Sequence, residues 1–180
     1  MSEDAFNIGN YPKNGRLDNY LKECVEIIKK QNIDIPKLEQ FMWKIFNDCK
    51  KYLKEEFCLN FPDMQLVIIY KKKEYAELLE KLDKAFGARP YTKAVCVVSE
   101  DMSWIYIDFL SHFKGKRIDF IVNLSVSFLE ELVHSAVYPN KSEIDVHELV
   151  CSAIEGFLEV KLPDTVREAR LKYARKIDGY

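Results

Sequence analysis

Residues Phe120 to Tyr138 read FIVNLSVSFLEELVHSAVY, apolar almost all round and closed by Pro139. At 100° per residue the polar side chains Asn123, Ser127, Glu130, Glu131 and His134 fall within one arc of roughly 100°. A helix so apolar elsewhere belongs in a core. Its two carboxylates and its imidazole then need partners, because unpaired buried charge is expensive. A bound metal ion is one such partner, and a metal site usually brings chemistry.

Outward from this helix the chain alternates legible elements. Leu17, Tyr20, Leu21, Cys24, Val25 and Ile28 recur at helical spacing. So do Leu38, Phe41, Met42, Ile45, Phe46, Cys49 and Leu53, after Asp34 as N-cap and Pro36 in the first turn. MQLVIIY (Met64–Tyr70) reads as a strand. A short helix follows, with Tyr75, Leu78, Leu79 and Leu82 inward and Gly87 as its stop. Two more strands, KAVCVVS (Lys93–Ser99) and WIYIDFL (Trp104–Leu110), flank the turn-like SEDMS. Beyond the polar-striped helix, Ser142 and Asp145 form a capping box for a helix running to about Val160. The tail after Pro163 is helical in pattern and basic. This order predicts an α+β fold, a small β-sheet packed with helices. It predicts a single domain over 1–180: a helical part (1–60), a core (64–160) and a basic tail (161–180).

Composition fits one domain with a substantial core: 180 residues, 48% hydrophobic and 31% charged. A net charge of −2 carries no global signature of nucleic acid or membrane. No apolar run reads as a membrane span, and MSEDAFNIGNYPKNG lacks the pattern of a signal peptide, which points to the cytoplasm. The five cysteines, Cys24, Cys49, Cys58, Cys96 and Cys151, lack CxxC spacing and read as buried apolar fillers.

The chemistry sits at residues 130–134, Glu-Glu-Leu-Val-His. Side chains at i and i+4 share a helix face, so Glu130 and His134 can reach one ion with Glu131 beside it. This is the spacing of HExxH, in which two histidines bind zinc and the glutamate handles the water. Over residues 64–160 the chain resembles the zincin metallopeptidases, particularly small gluzincin-like proteins. The resemblance implies a central active-site helix preceded by strands, with WIYIDFL as the edge strand that pairs with a peptide substrate. It implies a zinc ion held by Glu130, His134 and Glu155, the last being 21 residues beyond His134. Glu131 would be the general base for metal-bound water.

The chain departs from that family where Glu130 replaces its first histidine. A second anionic ligand makes bound water less acidic, so the resemblance implies a weak or inactive metallopeptidase. His147 and Glu148 are alternatives to Glu155 as third ligand, although His147 also projects into its helix's apolar arc, as a core histidine does. Glu131-x-x-His134 has the spacing of di-iron bundles too, but no second ExxH accompanies it. His112, in SHFKGKR, reads as solvent-exposed, and Lys71-Lys72-Lys73 as a solvated helix start.

The alternative function is a non-catalytic protein-interaction module that keeps the fold without metal. Residues 130–159 hold seven acidic side chains and one lysine, and residues 161–180 hold six basic and three acidic ones. The tail can therefore dock on the acidic helix or present a basic arm to an acidic protein. No nucleic-acid-binding motif accompanies it. The expected partner is a peptide or protein, as substrate or otherwise.

Overall fold

Asp34 caps a helix whose first turn contains Pro36, and its carboxylate accepts a hydrogen bond from the Lys37 N–H at 3.2 Å. That cap and a stripe of seven buried side chains from Leu38 to Leu53 produce the longest helix, α2 (Ile35–Phe57). The computed structural model describes residues 10–29, 32–86, 92–99, 101–113, 115–137 and 140–179. Gly87, Tyr138, Pro139, Glu100 and the first nine residues lie outside them.

Ahead of α2 come α1 (Arg16–Ile27) and a two-residue antiparallel pair, β1 (Ile28–Lys29) and β2 (Asn32–Ile33). No side chain of the N-cap residue Gly15 closes α1. Its first turn is held from far along the chain instead. The Arg16 N–H donates to Glu159 at 3.1 Å, and Arg16 Nη1 donates to the Phe157 carbonyl at 2.6 Å.

After α2 come β3 (Asp63–Ile69), α3 (Lys72–Phe86), β4 (Ala94–Val98) and β5 (Met102–Asp108). They form a three-stranded sheet in the order β3-β5-β4, with β5 parallel to β3 and antiparallel to β4. Ile105 of β5 faces Leu66 on one side and Cys96 on the other. The period of two is visible in burial: Ser103, Ile105 and Ile107 are buried, while Trp104 and Tyr106 between them are half-buried. The architecture is α+β, as its element order predicts, with both small sheets packed against helices.

The strand WIYIDFL is not an edge. Both its neighbours are hydrogen-bonded along its length, so it offers no free backbone to a peptide. It also stops at Asp108, where Phe109 begins a single helical turn, α4 (Phe109–His112). Strand order is set by tertiary packing, which no local pattern around Trp104 encodes.

The polar-striped segment becomes α5 (Arg117–Val137), followed by α6 (Glu143–Leu158) and α7 (Asp164–Asp178). α5 packs against α6, α2, α1 and β4, and Phe128, Leu129, Leu132 and Val133 are fully buried. By length and composition this helix could cross a membrane, contrary to the expectation from the sequence, yet 67% of its apolar window is buried inside the fold. One contiguous hydrophobic core runs from Leu17 to Leu162. Cys24, Cys49 and Cys151 are buried in it, whereas Cys58 is exposed at the left-handed end of α2 (φ 54°).

Candidate functional site

The polar arc of α5 meets two different sets of partners. Toward its N-terminal half, Ser127 faces His112 of α4. The His112 Nδ1 lies 2.7 Å from the Asp108 carbonyl, and its Nε2 lies 2.7 Å from Ser127 Oγ. A carbonyl can only accept, so Nδ1 carries the proton and Nε2 accepts from the Ser127 hydroxyl. His112 is therefore a buried, satisfied side chain and not the exposed loop residue that SHFKGKR suggests. Burial pushes its pKa down to about 4, only partly opposed by the hydrogen bond to Asp108.

Toward the other end, Glu130 and His134 face the first turn of α6. Ser142 caps that turn, its hydroxyl accepting from the Asp145 N–H at 3.2 Å. The Asp178 carboxylate of α7 accepts from the Glu143 and Ile144 N–H groups at 3.0 and 3.1 Å, which suits the positive end of a helix. Held this way, Glu143 and His147 stand one above the other at i and i+4. Opposite them stand Glu130 and His134, at the same spacing on α5.

Three gaps knit the two pairs together. Glu143 Oε2 is 3.8 Å from His134 Nε2 and 3.7 Å from His147 Nε2, and His147 Nε2 is 3.9 Å from Glu130 Oε1. The two imidazoles meet edge to face with centroids 6.5 Å apart. Tyr173 of α7 closes over His147, ring centroids 6.1 Å apart. Arg170, also on α7, places Nη1 3.0 Å from Glu130 Oε2 and 3.5 Å from His147 Nδ1.

The electrostatics favour an ionised glutamate beside a neutral histidine. Burial pushes the Glu130 carboxyl up, but the Arg170 guanidinium, with His147 and His134 behind it, more than offsets this and holds it below its usual range. Burial is also the main influence on His147 and depresses it, with Glu130 opposing and Arg170 reinforcing the shift. A neutral imidazole and a charged carboxylate are the protonation states a metal requires of its ligands.

Of the residues expected from the sequence, Glu130 and His134 share the α5 face toward α6, where Glu130 meets His147 and His134 meets Glu143. Glu131 is half-buried one position farther along α5. Glu155 is not brought to them. It lies two helical turns beyond His147, about 12 Å along α6 at 1.5 Å per residue. There it pairs with Arg167 at 2.7 Å and accepts from the Leu162 N–H at 2.8 Å, clamping the turn into α7. Of the two alternatives, Glu148 is exposed and His147 faces the seam. The helix after Pro163 docks on the acidic α6 through Arg167 and on α5 through Arg170.

Glu143 and Arg170 are the participants that sequence reasoning passed over. Glu143 carried a signal: Glu143-Ile-Asp-Val-His147 repeats the Glu-x-x-x-His spacing of Glu130–His134. Among the described residues, no three His, Cys, Asp or Glu side chains converge closely enough as they stand to ligate one ion. The gaps exceed a tetrahedral zinc site's donor spacing of about 3.4 Å, the edge implied by bonds of about 2.1 Å, by a few tenths of an ångström. No protein-family model, curated protein or solved structure matches this chain.

Proposed function

We propose that this protein binds a divalent transition-metal ion in the seam between α5 and α6, through Glu130, His134, Glu143 and His147. One observation carries the proposal: two Glu-x-x-x-His pairs face each other across the seam, with successive donors 3.7–3.9 Å apart. Two imidazoles and two carboxylates suit zinc best among the common ions. The pair supplied by α6 takes the place of Glu155.

Peptide hydrolysis is not part of this function. Four protein ligands close a zinc site, whereas hydrolytic sites keep one position open for water. The strand expected to hold a peptide also has both edges occupied. The ion would join α5 to α6 and stabilise the fold.

A second function is favoured by Arg170, whose guanidinium already neutralises Glu130. On that basis the protein is a metal-free interaction module with an internal ion network. Elemental analysis of protein purified without an affinity tag or chelator, followed by cobalt(II) titration, separates the two. The metal function expects about one ion per chain, with a tetrahedral cobalt spectrum lost in His134→Ala and His147→Ala. Wild-type protein that takes up no more cobalt than the double variant leaves the interaction module as the answer.

A further inference from the structure

We infer that Arg170 and the metal ion are alternative occupants of the α5–α6 seam, so that α7 is a latch which metal binding opens. This rests on the metal function proposed above.

The imidazole of His147 makes the two occupants exclusive. Guanidinium has only N–H donors, so where Arg170 approaches Nδ1, at 3.5 Å, that nitrogen must offer its lone pair. The proton of neutral His147 then sits on Nε2, the nitrogen facing Glu130 and Glu143. A metal ion at Nε2 needs the opposite tautomer, with the proton on Nδ1 pointing at Arg170. Metal ligation through His147 therefore turns the Arg170 contact from attraction into a clash of two donors. Glu130 acts in the same direction. Its charge is paired with Arg170 at 3.0 Å, and a divalent ion on its other oxygen would repel the guanidinium.

α7 is built to yield. Of its 15 residues only Ala174 is fully buried, and its other apolar hold is half-buried: Val166, Leu171 and Tyr173. Its anchors are polar: Arg167 to Glu155, Arg170 to Glu130, and Asp178 to the start of α6. One of the three ends on a proposed metal ligand, and another ends on the backbone of Glu143, a second ligand. An element with few apolar contacts opens locally at low free energy. Linkage then requires reciprocity: whatever factor metal loosens α7 by, an undocked α7 tightens metal by the same factor.

Hydrogen exchange of the full-length chain tests this, with zinc added to chelator-treated protein. The expected result is that amides of residues 164–178 exchange about tenfold faster with zinc, within the range of ordinary allosteric coupling, while those of α2 are unchanged. Arg170→Gln should bind zinc more tightly than wild type by a similar factor and show the faster α7 exchange without metal. Zinc binding of equal strength in both proteins, with α7 exchange unmoved, overturns the latch and leaves the metal function standing. If neither protein binds zinc, the metal function falls and the latch falls with it. The wild-type exchange measurement decides the matter even if the variant fails to fold.

Discussion

Phe46 of α2 meets Phe128 of α5 edge to face, ring centroids 5.4 Å apart and planes at 73°. Both rings are almost entirely buried, and Phe128 sits on the opposite side of α5 from the seam residue Glu130. The same helix thus anchors the core with one face and presents ligands with the other.

Loss of that anchor should be costly. Phe128→Ala is expected to destabilise the protein by about 3–5 kcal/mol and Leu132→Ala by about 2–5 kcal/mol, because both leave cavities in a packed interior. Urea unfolding with unchanged m-values checks this; a loss below 1 kcal/mol for either would contradict the burial of α5.

Acid should weaken the fold through His112. Its pKa is pushed down to about 4 in the folded state, against about 6.5 in an unfolded chain. The unfolded chain therefore binds the extra proton first as pH falls. Stability contributed by neutral His112 is complete above pH 6.5, declines between about 6.5 and 4, and is gone below that. The total is on the order of 3 kcal/mol. His112→Gln should flatten this part of the stability profile; an identical pH slope in the variant would show that His112 is not the group responsible.

Thiol labelling should sort the five cysteines. Cys58, exposed at the C-terminal end of α2, is expected to alkylate first under native conditions. Cys24, Cys49 and Cys151 are buried, and burial pushes Cys24 up to about 11 and the other two above their ordinary range. Those three should label only on unfolding. Mass spectrometry of peptides after brief iodoacetamide treatment reads the order.

Asp178 should behave as a cap for α6 donated by α7. Asp178→Ala is expected to cost about 1 kcal/mol, as for other N-terminal caps, and, by removing one of the three anchors of α7, to tighten metal uptake. Thermal unfolding and cobalt titration of this variant give both numbers. Unchanged melting would mean that Ser142 alone suffices.

What could be foreseen from the sequence was local. The Asp34–Pro36 start of α2, the Ser142–Asp145 box and the seven-residue stripe from Leu38 each depend on neighbours within one or two turns, and each formed as expected. The shared face of Glu130 and His134 followed from the same 3.6-residue arithmetic. What failed depended on distant partners. β5 became central because β3 and β4 closed on it from either side. His112 became buried because Ser127, 15 residues away, turned toward it. Glu155 was taken by Arg167, while Glu143 reached the seam because Asp178, 35 residues later, anchors the start of α6. Spacing predicts which side chains share a face; it does not say which face meets which.

The hold of Glu159 on the Arg16 N–H spans 143 positions. On a ribosome, α1 therefore emerges long before the residue that completes its first turn. At roughly 5–20 residues per second, the wait is on the order of 10–30 s. During that time the buried face of α1, with Leu17, Tyr20 and Cys24, has α2 to lean on but neither α5 nor α6. Nascent chains of this protein should thus be dependent on chaperones until translation passes α6, and faster elongation would shorten their exposure.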